Sequence, residues 1–256
     1  MVSPWVMNSL SSPTARCRLF CLPPAGRGGS VFAKWAKDFP PEIAVCPVQL
    51  PGREDRLRDT PYTSIQDLLR AMVPALESLF DLPYAFFGHS MGALVSFELA
   101  RELRRQGRQE PVHLFVSARR APHLLDPYPP IAHLPDGLFM EAVQRRYRGI
   151  PEGIIKDAEM REIILPGLRA DFTLIESYSY YSEPPLSCPV TALGGLQDFE
   201  IGDEELEAWR EHTTSRIRTQ LLPGDHFFVV SAADEVIDTI VWDLKPFHGI
   251  EAFEHL

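Results

Sequence analysis

The sequence predicts an α/β protein built on a mostly parallel central sheet with helices on both faces. Strand-like apolar runs alternate with helical segments, and a Gly-x-Ser-x-Gly motif lies between one strand and the next helix. The predicted strands cover residues 18–22, 44–49, 84–88, 113–118, 190–194 and 217–222. The predicted helices cover residues 31–38, 64–80, 91–106, 204–212 and 232–244. With 256 residues, of which 45% are apolar, we expect one domain over residues 1–256.

The motif Gly88-His89-Ser90-Met91-Gly92 is typical of a nucleophile elbow. Such a turn between strand and helix lifts the serine hydroxyl out of the sheet and strains the serine backbone. Side chains two residues either side would collide, and glycine at both positions removes that collision. Ser90 is therefore the candidate nucleophile, although the bare pattern also arises by chance. His89 should point away from the serine, so we expect it to pack in the structure.

A histidine late in the chain is the candidate base, because α/β-hydrolases order these groups as serine, acid, histidine. The C-terminal third offers His212, His226, His248 and His255. His226 follows the strand 217–222 and precedes the last helix, which is where this fold places its base. Packing of the loop is the alternative role for it. His212 falls in a charged helical segment, which predicts a solvated side chain.

Asp198 is the candidate acid, because it follows the predicted strand 190–194 and can reach across to the histidine loop. Its role would be to fix the imidazole tautomer and to stabilise the imidazolium. Glu200 and Asp203 are rivals slightly further along the same loop. Asp225 is adjacent to His226 in sequence, and adjacent side chains rarely face each other.

Two backbone N–H groups are candidates for an oxyanion hole. One belongs to Met91, directly after the serine and at a helix N-terminus, where the dipole favours negative charge. The other belongs to Ala25, because Pro23 and Pro24 carry no N–H. The glycines after Ala25 could also suggest phosphate binding, but their spacing matches neither common nucleotide motif.

Residues 120–187 separate two predicted strands and are too long for a simple crossover. They are rich in proline and contain short helical pieces at 138–148 and 157–165. Such an insertion ahead of the acid strand predicts a helical lid over the site. Its aromatic residues either line a channel or pack the lid onto the body.

Composition limits the location, partners and cofactors that we expect for this protein. Cys17, Cys21, Cys46 and Cys188 show no metal-binding spacing, which predicts buried free thiols and a cytoplasmic location. A net charge of −10 argues against a nucleic-acid partner. No stretch is long enough to cross a bilayer. We expect a monomer with no metal and no cofactor.

The assembled motifs resemble the type II (external) thioesterases of polyketide and nonribosomal peptide synthesis, within the α/β-hydrolase superfamily. The marks of this likeness are the segments 23–35, 50–54, 87–92, 114–119, 168–171 and 223–228. Leu50-Pro51-Gly52-Arg53-Glu54 and Leu168-Arg169-Ala170-Asp171 are the most selective of them. The family usually has His-Ala-Gly-Gly where this chain has Pro24-Ala25-Gly26-Arg27, so Arg27 adds a cation near the entrance.

The resemblance implies Ser90 as nucleophile, Asp198 as acid and His226 as base of a thioesterase. Its substrates would be acyl groups on the phosphopantetheine arm of acyl or peptidyl carrier proteins, and its task the removal of stalled or aberrant chains. Arginine clusters at 101–108 and 145–148 are candidate docking patches, although a solvated helix face is the simpler interpretation. The alternatives are a medium-chain fatty acyl-carrier thioesterase, an esterase or lipase for free esters, and a carrier-protein binding partner without turnover.

Overall fold

The computed structural model describes residues 3–7, 12–147, 150 and 152–248. Six strands form one sheet in the order β2-β1-β3-β4-β5-β6, and every neighbouring pair is parallel. The strands are β1 (Cys17–Leu22), β2 (Ile43–Pro47), β3 (Tyr84–His89), β4 (His113–Ser117), β5 (Val190–Gly195) and β6 (Ile217–Leu222). The predicted parallel sheet is confirmed, and all six strands lie where the apolar runs placed them.

The α-helices alternate with the strands along the chain. They are α1 (Ile65–Leu76), α2 (Met91–Arg105), α3 (Asp136–Tyr147), α4 (Glu152–Lys156), α5 (Ala158–Glu176), α6 (Asp203–Glu207), α7 (Phe228–Ser231), α8 (Ala233–Asp243) and α9 (Lys245–His248). Ser64 lies directly before α1, and its hydroxyl accepts a hydrogen bond from Asp67 N–H at 3.2 Å. The helix α2 ends before Gly107, whose φ of +69° suits glycine.

The sheet is covered by apolar side chains on both faces, because successive strand residues point to opposite sides. In β3, Phe86 joins the core formed with α1 and α2, whereas Phe87 joins the core formed with α8. Both rings are fully buried. Burial on both faces explains why the strands are continuous apolar runs rather than alternating ones.

Several of the predicted helices differ from the structure in type or length. Residues 31–38 form two short 3₁₀ turns, Gly29–Phe32 and Trp35–Lys37, and Phe32 packs edge-on against Trp35. Side chains three residues apart align in a 3₁₀ turn, so both rings reach the same core. The piece predicted at 157–165 continues through Pro166 as the helix α5. The segment predicted at 204–212 begins as the helix α6 and ends as a 3₁₀ turn, Ala208–His212. The last helix, predicted over 232–244, is confirmed as α8, and the short helices α7 and α9 lie before and after it.

Residues 120–187 lie between β4 and β5 and are called the insertion below. The helices α3, α4 and α5 belong to it, and they bury a small core of their own around Phe139, Val143 and Phe172. Ahead of the sheet, Trp5 and Val6 are buried, and Val6 bridges Val48 in antiparallel fashion. No helix among the described residues is long and apolar enough to cross a membrane.

Candidate active site

The turn at Ser90 has the strained geometry that the motif predicts. The serine follows β3 and precedes α2, with φ +55° and ψ −113°. Its N–H donates to Ser117 O at 2.7 Å, so β4 holds the turn in place. A Cβ on Gly88 would overlap the backbone of Gly92, and a Cβ on Gly92 would overlap the Leu22 carbonyl at the end of β1. Glycine is therefore required at both positions.

The structure brings the three predicted side chains together in one hydrogen-bonded chain. His226 Nε2 lies 3.1 Å from Ser90 Oγ, and His226 Nδ1 lies 2.8 Å from Asp198 Oδ2. The three residues follow β3, β5 and β6, and the carboxyl ends of parallel strands meet at one edge of the sheet. The side chains of Asp198 and His226 are 1% and 7% exposed, so water competes little for this hydrogen bond. A serine, a histidine and a buried carboxylate so arranged can carry out nucleophilic acyl transfer.

The rival acids occupy other positions. Glu200 contributes its backbone carbonyl to Arg120, and burial raises the pKa of its side chain. Asp203 begins the helix α6. Asp225 caps its own turn by accepting from Phe227 N–H at 2.9 Å.

His89 is buried as predicted, and it also has a structural partner that the sequence did not reveal. Its Nδ1 lies 2.8 Å from Ser117 Oγ, and its Nε2 lies 2.8 Å from the backbone oxygen of His226. Burial lowers the pKa of His89 to about 3, with the nearby His226 as a further cause. A neutral ring that donates through Nε2 therefore accepts from Ser117, and it ties the histidine loop to the elbow.

The loop after β1, residues 23–30, carries the predicted donor Ala25 to the rim of the site. Ala25, Gly26 and Ser90 line the same cavity. The Gly26 N–H is engaged by a side chain, since it donates to Asp171 Oδ2 at 2.7 Å. Across the described part of the chain, the N–H groups of Ala25 and Met91 have no such partner. Both are therefore available to an incoming oxyanion.

An apolar cavity opens at Ser90 beneath the insertion. Its volume is about 70 Å³, and its apolar walls come mostly from α3 and α5. The lining side chains from the insertion and its neighbour loop are Val143, Tyr147, Ile150, Ile164, Leu168, Phe172, Ile175 and Phe227. Burial raises the pKa of Tyr147 to about 12, so its phenol stays neutral. The aromatic residues of the insertion thus divide between the two predicted roles, because Phe139 only packs α3 while Tyr147 and Phe172 line the cavity.

Arg119 also lines this cavity, and the motifs did not single it out as a site residue. Its Nε is buried and has no hydrogen-bond partner among the described residues. Burial lowers the pKa of the guanidinium. The only signal in the sequence was its place at the end of the segment 114–119.

The prediction that His212 is solvated is wrong. This side chain is buried among aromatic rings, and its Nε2 lies 2.8 Å from His123 Nδ1. The arginines at the end of α2 are neutralised by neighbouring glutamates, with Arg101 bonded to Glu98 at 2.6 Å and Arg105 to Glu183 at 2.7 Å. Arg148 and His255 lie outside the described residues.

The four cysteines are free and buried, as predicted, and burial raises the pKa of the Cys17, Cys46 and Cys188 thiols to about 12. Within the described ranges, no group of three or more His, Cys, Asp or Glu side chains is arranged to hold a metal ion.

Comparison with known proteins identifies relatives over nearly the whole chain. A family model described as "Thioesterase domain" matches residues 17–243. The gramicidin S biosynthesis protein GrsT of Aneurinibacillus migulanus is 43% identical over 244 residues, which are 95% of this chain and 95% of that protein. The thioesterase PikA5 of Streptomyces venezuelae is 35% identical over 92% of this chain and 84% of its own length.

A solved structure has the same fold. The RedJ thioesterase from the prodiginine pathway of Streptomyces coelicolor superposes with a TM-score of 0.83 at 39% identity. The match covers 91% of this chain and 88% of that one.

Proposed function

We propose that this chain, which belongs to the thioesterase domain family, hydrolyses acyl groups from the phosphopantetheine arm of carrier proteins. It is a type II enzyme of the kind found in polyketide and nonribosomal peptide pathways. It is a serine hydrolase acting on thioesters. The observation that carries the finer proposal is the hydrogen-bonded series Ser90, His226 and Asp198 at the mouth of an apolar cavity. The family alone would not say which residues act.

In this mechanism, His226 Nε2 removes the proton from Ser90 Oγ as the oxygen attacks the thioester carbonyl. The carbon–sulfur bond breaks, the acyl group stays on Ser90, and the imidazolium returns its proton to the departing thiolate. Water then attacks the acyl-serine with His226 as base, which releases the carboxylic acid and restores the serine. Asp198 accepts the Nδ1–H bond at 2.8 Å and stabilises the imidazolium.

The oxyanion of each tetrahedral intermediate would be bound by the N–H groups of Ala25 and Met91. The available donors, the shared cavity and the start of α2 at Met91 support this assignment. A preorganised donor in a site shielded from water contributes more than it would in bulk solvent.

The cavity volume favours short acyl groups. A water-sized group needs roughly 10–15 Å³ of such a volume. The cavity at Ser90, with about 70 Å³, therefore holds only a few groups of methylene size. Short acyl groups are the stalled or misloaded units that an editing enzyme removes. The relatives include proteins named for gramicidin S biosynthesis and for the prodiginine pathway, which supports an editing role beside a synthase. We place the enzyme in the cytoplasm as a monomer, with the insertion as its lid.

The test is hydrolysis of carrier-bound thioesters. Acetyl-, butyryl- and decanoyl-loaded carrier proteins are incubated with the wild type and with Ser90→Ala, and release is followed by intact mass. We expect fast release of acetyl and butyryl groups by the wild type and a loss of roughly 10⁴-fold or more in the variant.

Each other outcome selects a different function. Preference for the decanoyl group would indicate a medium-chain thioesterase, and turnover of free esters above carrier-bound ones would indicate an esterase. Equal release by wild type and Ser90→Ala would contradict the mechanism. Failure of a fluorophosphonate to label Ser90 would leave only a binding role.

A further inference from the structure

One buried carboxylate of the insertion holds the loop after β1. Asp171 lies on α5 and is 2% exposed. Its Oδ2 accepts from Gly26 N–H at 2.7 Å and from Arg53 Nη1 at 2.7 Å, while its Oδ1 accepts from Arg53 Nη2 at 2.8 Å. The carboxylate therefore joins α5, the loop after β1 and the loop after β2 at one point.

The partner guanidinium is fully bonded. Arg53 is 8% exposed, and besides Asp171 it donates to Pro51 O through Nε and Nη2, and to Arg27 O at 3.3 Å through Nη1. All five of its N–H groups thus have acceptors. A buried ion pair keeps a fixed geometry only when its remaining donors are satisfied in this way.

Close packing accompanies the ion pair. Gly26 has φ +72°, and a Cβ there would lie 2.6 Å from Leu168 Cδ1, one turn before Asp171. A Cβ on Gly167 would lie 2.7 Å from Gly52 O. The helix α5 consequently rests directly on both loops, with no space for a side chain between them.

This arrangement bears on the proposed oxyanion donor. The N–H of Gly26 belongs to the peptide group that follows Ala25, so fixing that group restricts rotation about the Ala25 backbone. We propose that Asp171 is a positioning residue, which aims the Ala25 N–H at the oxyanion and makes the seating of α5 a condition for fast acylation. The inference rests on the proposed thioesterase function.

Asp171→Asn tests the proposal with acetyl-pantetheine as substrate, because this small thioester needs no carrier docking. Removing a whole oxyanion donor costs about 10²–10³ in kcat. For a donor that is only misaimed we expect kcat to fall by about 10- to 100-fold, with KM changed by less than about threefold. The affinity for a trifluoromethyl ketone, which forms a tetrahedral adduct with the serine, should fall in parallel with kcat/KM.

A second variant separates positioning from folding. Arg53→Met/Asp171→Leu replaces the buried pair by apolar side chains, and such replacements often preserve stability. It leaves Gly26 N–H without its acceptor, so we expect a folded protein whose kcat stays low. Asp136→Asn is the matched control, since it removes another ion pair of α5, Arg169 to Asp136 at 2.7 Å, that does not touch the loop.

Wild-type kcat in the folded double variant would overturn the proposal. So would a change confined to KM, or an equal loss of kcat in Asp136→Asn. The failure of the underlying function has a different signature, because Ser90→Ala would then hydrolyse acetyl-pantetheine as fast as the wild type.

Discussion

The two halves of the site are held by different parts of the molecule. The triad half, Ser90, Asp198 and His226, is set by the register of neighbouring parallel strands and by the His89 bond to the His226 backbone. The loop after β1 is instead held by Asp171 from the insertion and by Arg53 from the loop after β2. The proposed nucleophile thus follows a strand of the sheet, while the loop that carries the proposed oxyanion donor Ala25 is bonded to a segment outside the sheet.

The largest effect should come from breaking the triad half. Asp198→Asn keeps the size of the side chain but no longer fixes the tautomer of His226. We expect kcat to fall by about 10³- to 10⁴-fold, while KM changes little. Steady-state hydrolysis of acetyl-pantetheine measures this loss of kcat. Asp203→Asn, at the start of α6, is the control. A loss of less than tenfold would remove Asp198 from the mechanism.

A glycine substitution tests the contact between the two halves. Gly92→Ala would drive a Cβ into the Leu22 carbonyl, just before the loop that carries Ala25. Overpacking of this kind costs about 1–3 kcal/mol, which lowers Tm by several degrees, and we expect activity to fall with it.

Gly137→Ala is its matched control. Gly137 is also the second residue of its helix, α3, and a Cβ there would meet no atom within 4 Å. Helix propensity predicts an unchanged or slightly higher Tm for this variant. Similar losses of Tm in both variants would contradict the packing argument.

The last effect concerns the response to acid. Burial lowers the pKa of His89 to about 3, and of His113 and His212 to about 4. The unfolded chain binds protons at these rings below a pKa of about 6.5, whereas the folded protein does not. The free energy of unfolding should therefore be highest above pH 6.5 and fall as pH drops from about 6.5 to about 4.

Urea midpoints at pH 7.5, 5.5 and 4.5 measure this dependence. His113→Gln, away from the site, should flatten the slope without changing kcat. A midpoint that is the same at all three values would show that the buried rings do not resist protonation.

Sequence patterns predict those features of the molecule that a short segment of the chain determines, such as strands and turns. Ser90 directly follows a strand, and Asp198 and His226 lie in the short loops after two others. The order of the strands and the glycines of the elbow therefore suffice to predict where these residues lie. The sequence predicts that this helical piece of the insertion, 157–165, ends at residue 165, before Pro166. The helix α5 instead continues to Glu176, because Leu168 and Phe172 pack in the insertion core.

Pairings over long distances in the chain were not predictable from pattern alone. Arg53 and Asp171 are 118 residues apart in the sequence. Each belongs to a motif that is typical of the family, but neither motif predicts a contact with the other. Their charges gave no sign of mutual burial. His212 likewise sits in a charged segment, and its burial depends on rings from distant parts of the chain.

The most direct test of the account is the site of the covalent intermediate. Wild-type protein is mixed with acetyl-loaded carrier, quenched in acid within milliseconds, and digested for tandem mass spectrometry. The proposed mechanism predicts an acetyl group on Ser90 in the wild type and its absence at the same time point in His226→Ala. Acetate release without any adduct on Ser90, or with the acetyl group on another residue, would contradict it.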